Sequence, residues 1–207
     1  MVAAFSLLEE PWIPVLEGDR VREGGIREAL LGAHEIERIE TPSPLEEASL
    51  HRLLLAVLHR ALEGPEDVDQ AMDWYERGQF EGKRVDAYLT QWRDRFYLFH
   101  KEHPFFQIPD LSEENPQPWT ALVPERANGN NPTLFDHTMD DNPPRATYAE
   151  AARALLVHQA FKTGGLLRRM GVDSAKGAPL ATAAVFLPKG RTLFHTLVLN
   201  LGPFNPR

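Results

Sequence analysis

Apolar residues recur along this chain in stripes whose spacing is helical. Leu50, Leu53, Leu54, Val57, Leu58 and Ala61 follow the i, i+3, i+4 rule of one helix face. Ser43-Pro44-Leu45-Glu46 stands before them as a capping box with proline at the first helical position, and Gly64 stops the run. A second stripe of Val68, Ala71, Met72 and Tyr75 predicts a helix over 65–77. A third, of Val85, Tyr88, Leu89, Trp92, Phe96 and Phe99, predicts one over 85–100, closed by Pro104. Three such stripes imply helices on a common core, with Trp92 and Phe96 pointing into it. Thr147-Tyr148-Ala149-Glu150 is a second capping box. It opens a helix with Tyr148, Ala151, Ala152, Leu155, Leu156 and Gln159 on one side, which runs out at Lys162-Thr163-Gly164-Gly165.

The shorter segments read as strands and turns. Residues 5–8 and 12–16 predict two strands, with Gly18-Asp19 as a turn. Residues 26–31 fit one helical turn and 35–40 a short strand. Residues 182–187 predict a strand turned by Pro188-Lys189-Gly190. Residues 192–201 fit either a partner strand or a closing helix, and Leu193, Leu197 and Leu201 favour the helix. Between 104 and 144 the pattern breaks down: eight prolines and Asn128-Gly129-Asn130-Asn131 stand in a stretch without any apolar period. Such a stretch predicts a mobile loop over 125–145. The fold class expected is α+β: a helical cluster, short mixed or antiparallel strands, and one long mobile loop.

Composition adds exclusions. The 207 residues suffice for one sizeable domain or two small ones. There is no cysteine, so disulfides, zinc thiolates and cysteine nucleophiles are ruled out within them. No apolar run approaches the ~20 residues of a membrane span. The first ten residues lack a cationic start and end in Glu9-Glu10, unlike a signal peptide, so a cytoplasmic protein is expected. Net charge is −8, which on its face disfavours a nucleic-acid partner. The charge is unevenly spread, however. Residues 1–144 carry 13 Lys and Arg against 28 Asp and Glu, a net −15; residues 145–207 carry 9 against 2, a net +7. A cationic last third either faces phosphates or lies against the acidic part.

Little of the polar inventory points to catalysis. His100 and His103 sit across a helix end, and His51 and His59 are eight apart rather than the four that stack metal ligands. Neither a Gly-x-Ser-x-Gly elbow nor a phosphate-cradling Gly-Lys-Ser/Thr loop is present. No metal or cofactor is expected. The alternative functions that remain are a metal-dependent small-molecule hydrolase using His100 and His103, and a pure protein scaffold. Lys162-Thr163-Gly164-Gly165 is more informative. Glycines admit close approach of a ligand to backbone, and Lys162, Arg168, Arg169 and Lys176 supply cations near it. The competing reading is an ordinary helix C-cap. Phe135, within the polar run 131–137, either stacks on a base, docks in a partner or tucks back onto the core.

Several segments in order resemble the CasA family, the large subunit of the type I-E CRISPR surveillance complex Cascade. They are Phe5-Ser6-Leu7-Leu8 with Pro11-Trp12-Ile13-Pro14-Val15, then Phe96-Tyr97-Leu98-Phe99-His100 with His103-Pro104-Phe105-Phe106-Gln107. The Phe135 loop and the Gly164-Gly165 segment follow in order. The resemblance implies a non-catalytic subunit that recognises the target-flanking motif in double-stranded DNA and aids duplex opening, while guide pairing reads the sequence. It implies a DNA contact at Lys162, Thr163, Gly164, Gly165, Arg168 and Arg169. It also implies a loop at Asn131, Phe135, Asp136 and His137 touching the guide-RNA end and neighbouring subunits. The partners implied are target DNA, guide RNA, other Cascade subunits and a recruited helicase–nuclease, with no membrane. Residues 1–207 would then be the N-terminal part of a longer globular domain, without the family's C-terminal helical bundle.

Overall fold

The structure is a computed structural model and describes residues 5–109, 117–127, 133, 136, 142–169 and 172–203; of residues 166–169, 172, 173 and 175 it describes the backbone only. The expected mobile loop over 125–145 lies largely outside the described residues.

A three-stranded antiparallel sheet organises the N-terminal part. β1 (Ile13–Glu17) is central, flanked by β2 (Arg20–Gly24) and β3 (Arg38–Ile39). The β1–β2 register runs from Ile13 opposite Gly24 to Glu17 opposite Arg20, across the turn at Gly18, whose φ is 57°. Ile13 and Val15 on β1 are fully buried, as alternation along a half-covered strand requires. The strand expected at 5–8 is reduced to one antiparallel bridge, Ser6 to Tyr97. Leu7 and Leu8 turn inward instead, and the buried Trp12 donates its indole N–H to the Leu7 carbonyl at 2.8 Å.

Helices fill the other side. α1 (Ile26–Leu31) begins at Gly25, where a Cβ would collide with the Leu8 carbonyl. α2 (Pro44–Leu62) is the long core helix: Leu50, Leu54 and Leu58 are completely buried and Ser43 accepts from the Glu46 amide. It stops at Glu63 and Gly64, both left-handed. α3 (Val68–Arg77) starts three residues later than expected, capped by Asp67. Its inner face is Ala71, Trp74 and Tyr75, while Val68 and Met72 are exposed, because the large rings of Trp74 and Tyr75 offer more surface to the core.

α4 (Gly82–Gln91) is shorter than the stripe over 85–100 predicts. A 3-10 turn, Arg93–Phe96, follows, and the chain becomes extended at Tyr97. The cause is tertiary pairing. The Leu7 amide donates to the Phe96 carbonyl at 2.8 Å, and the Leu98 amide to the Phe5 carbonyl at 2.9 Å. Those bonds need extended backbone, so helix propensity yields there. Val85, Leu89 and Phe96 are buried, but Trp92 is 40% exposed, which corrects its expected place in the core.

α5 (Tyr148–Phe161) packs on α2 and carries the full reciprocal capping box of Thr147 and Glu150. An antiparallel hairpin, β4 (Gly165–Arg169) and β5 (Val172–Ala175), follows it, where only a glycine-rich cationic stretch was read from sequence. The strand expected over 182–187 is absent. α6 (Leu193–Asn200) settles the helix-or-strand choice at the C-terminal end. Its first amides donate to the Ile36 and Ala33 carbonyls at 2.8 Å, and Phe194 meets Phe80 edge-on at 4.6 Å. The molecule is α+β, as expected.

Candidate nucleic-acid interface

The end of α5 bears on the C-cap reading of the glycine pair. Lys162 occupies the C-cap with φ −56°, and its amide donates to the His158 carbonyl at 3.0 Å. Two carbonyls at the end of α5 are taken by a returning segment: the Ala178 amide donates to that of the C-cap Lys162 at 2.7 Å and the Leu180 amide to that of Ala160 at 2.9 Å. A glycine C-cap works differently, since there the left-handed residue directly after the helix closes it. Here the glycine with positive φ is Gly165, at 157°, far from the left-handed helical value of about +57° and already inside β4. Gly164 and Gly165 are therefore not needed to terminate the helix.

What they do is present bare backbone. Lys162, Thr163, Gly164 and Gly165 are all exposed, as are Lys176 and Gly177 across the hairpin base. Among the described residues nothing lies within 4 Å of where a Cβ on Gly165 would stand. Gly177 has the opposite constraint, its Cβ position being 3.3 Å from the Gly164 amide, so small residues on both sides let the two strands' roots approach. Lys162 and Lys176 form no ion pair among the described residues. Arg168 and Arg169 lie on β4. His158, one turn before, is held below the usual imidazole range by burial and by Lys162, so the cations at neutral pH are lysines and arginines.

The loop residues are only partly in view. Asn131, Phe135 and His137 lie outside the described residues. Asp136 accepts from the Ala127 amide at 2.8 Å and donates its own amide to Thr133 at 3.2 Å. Its carboxylate thus ties the two limbs of the loop, a role sequence left open. Sequence reading missed the loop's foot. Trp119 donates to the Pro144 carbonyl at 2.7 Å, the Arg126 guanidinium lies 5.1 Å from the Trp119 ring, and Ser43 donates to Glu125 at 2.7 Å. A lone tryptophan in a stretch without period was the available signal.

Beside that foot is a cleft of about 350 Å³ lined by Glu40, Glu46, Glu125 and Glu150 against Arg126 and Arg153. Four carboxylates to two cations make this cleft unfavourable to a phosphate backbone. Burial pushes the Glu46 carboxyl up while the Arg153 charge opposes it. Hydrogen bonding from the Thr147 backbone holds Glu150 low.

The histidines have local work. His100 Nδ1 accepts from the Glu102 and His103 amides at 3.2 and 2.9 Å, and the two imidazoles stack with centroids 5.6 Å apart. His51 is buried, hydrogen-bonded to the Glu47 carbonyl at 2.8 Å, and burial lowers its pKa. Among the described residues, no three His, Asp or Glu side chains converge as metal ligands, and no helix is long and apolar enough to cross a membrane.

The α+β fold of this chain recurs in CRISPR-associated proteins of known structure. CasA (Cse1) of Thermus thermophilus superposes with TM-score 0.89 at 58% identity, over 100% of this chain and 41% of that one. A chain of a CRISPR RNA-guided surveillance complex, pre-nicking, superposes with TM-score 0.78 at 29% identity, over 96% of this chain and 43% of that one. The curated CRISPR-associated protein CasA/Cse1 of Thermus thermophilus is 65% identical over 202 residues, 98% of this chain. The sequence pattern of CRISPR-associated protein Cse1 matches residues 6–205, and the chain belongs to that family. It spans 40% of the length of the curated relative.

Proposed function

We propose that this chain is the N-terminal part of a non-catalytic subunit of an RNA-guided Cascade complex, and that it contacts the target-flanking motif of double-stranded DNA through 162–169 and helps open the duplex. Family membership supports the complex; a solved chain 29% identical to this one belongs to a CRISPR RNA-guided surveillance complex. The observation that carries the DNA contact is the closure of α5 by 178–180, which leaves Gly164 and Gly165 exposed and free of a capping role. Bare backbone amides beside Lys162 can approach a groove edge or phosphates where a Cβ would stand in the way. Asn131, Phe135, Asp136 and His137 belong in this reading to a loop that meets the guide-RNA end and neighbouring subunits. A helicase–nuclease recruited to the assembled complex completes the partner set.

The test uses the complete subunit in the assembled complex. Gly164→Val is the better probe of space, because a side chain at Gly165 meets backbone strain as well. It is expected to weaken binding to targets carrying the flanking motif, with assembly and melting temperature unchanged. Lys162→Ala is expected to weaken binding and lower the salt slope by about one. A fall in melting temperature with target affinity per folded molecule unchanged overturns the site. A pure scaffold predicts no effect of either change on DNA affinity.

A further inference from the structure

Phe186 is 86% exposed and its neighbour Val185 44%. Both lie in a stretch, 181–190, that has neither helix nor strand, and Ala183 and Ala184 beside them are exposed too. Contiguous apolar side chains held in water mark a surface that something covers. The composition of 182–187, with Thr182, Val185 and Phe186, is that of a strand, which is why sequence reading expects one there. A strand needs a partner, and among the described residues none is present. The backbone groups of Ala184, Val185, Phe186 and Leu187 make no hydrogen bond to described residues. An unpaired apolar edge of this kind is a ready template for another strand.

The position of this edge says where the partner comes from. Asn200, the last residue of α6, donates its side-chain amide to the Pro188 carbonyl at 2.8 Å. Leu201 is still buried in the core, and the chain reaches the surface at Gly202 and Pro203, close in sequence to Asn200 and to Leu199, itself 49% exposed. The curated relative matched over 98% of this chain has 60% of its own length outside the match.

We propose that 182–188 is an edge strand whose partner is the part of the same polypeptide that follows residue 207 in the full-length subunit. The two pair backbone to backbone, and the incoming segment covers Val185 and Phe186. A segment tethered beside the edge reaches it at high effective concentration, so it outcompetes a second copy or another subunit. This inference rests on the proposed reading of this chain as the N-terminal part of a longer subunit and on the geometry of 182–203, not on the DNA-binding reading.

The experiment uses the full-length isolated subunit. Residues 1–207 contain no cysteine, so Phe186→Cys places a thiol whose reaction with N-ethylmaleimide can be followed by peptide mapping. The rate in the folded subunit is expected to be about 100-fold below the rate for the same protein in urea, as for a site reached only by local opening. Equal rates overturn the proposal. So does protection that grows with protein concentration, which points to a second copy, or protection that appears only on assembly, which points to another subunit. Should the substitution prevent folding, hydrogen exchange of the unaltered subunit decides. The amides of 184–187 are expected to exchange about 100-fold slower than unstructured chain, and exchange at the unprotected rate refutes the strand.

Discussion

Trp12 and Trp92 carry one side chain into opposite surroundings. Trp12 is completely buried between β1 and the turn at Leu7, with its indole N–H bonded. Trp92 caps α4 at 40% exposure, tilted against Tyr88 at 6.5 Å. Trp12→Ala is expected to cost about 3–5 kcal/mol, since it opens a cavity and removes one of two hydrogen bonds to the Leu7 carbonyl, the other coming from the Ile26 amide at 3.0 Å. Trp92→Ala is expected to cost less than about 1 kcal/mol. Phe96, 7% exposed and stacked on Phe105 at 6.2 Å, belongs with Trp12 at about 3 kcal/mol or more. Urea denaturation of the three variants gives the order, and a Trp92→Ala loss equal to that of Trp12→Ala contradicts the placement of α4. Helical periodicity alone put Trp92 and Phe96 on one stripe. It could not show that the helix ends between them.

At the scale of elements, start signals were more legible than ends. Ser43 and Thr147 both accept the N3 amide, as their spacing to Glu46 and Glu150 implies. Only Thr147 has the reciprocal bond, the Glu150 carboxylate accepting from the Thr147 amide at 2.8 Å. Ser43 instead donates to Glu125 across the loop foot. Thr147→Ala is therefore expected to cost about 1–2 kcal/mol locally, seen as faster amide exchange in the first turn of α5. Ser43→Ala loses both a cap and a tie to Glu125, so its mark extends to the exchange of 119–127; an effect confined to α2 contradicts that link. Ends were harder because distant chain decides them. Phe5 and Leu7 extract 96–98 from the third helical stripe, and Ala178 and Leu180 close α5 in place of glycine. The hairpin at 165–175 was hidden because Gly165, Arg168, Arg169 and Gly171 interrupt any strand period. The site's glycines were legible as glycines, but their freedom from capping was visible only once the partners of the α5 carbonyls were known.

At the scale of the whole molecule, the charge asymmetry divides into two uses. Arg153 donates to the Trp12 carbonyl and Glu23 at 2.7 Å and to Glu46 at 2.8 Å, and Lys189 pairs with Glu47 at 2.7 Å. These cations of the last third lie against the acidic body, while Lys162 and Lys176 form no ion pair among the described residues. Arg153 joins the sheet, α2 and α5, and it is mostly buried, as is Glu46. Burial raises the Glu46 pKa above the usual 4.5, Arg153 lowers it, and Glu125 and Glu23 add to the rise. A raised carboxyl binds its proton more tightly folded than unfolded, so Glu46 costs stability as pH rises through its folded pKa. Arg153→Met removes the opposing charge and enlarges that cost. The variant is expected to lose about 2 kcal/mol at pH 7, where Glu46 is left ionised without its partner. Below pH 4.5 Glu46 is neutral in both states, and only the loss of the bonds to Trp12 and Glu23 remains, so the difference from the unaltered protein shrinks. Unfolding free energies of the pair at pH 7 and pH 4 measure this directly. A difference independent of pH would show that Arg153 acts through packing and its bond to Trp12 rather than through the charge of Glu46.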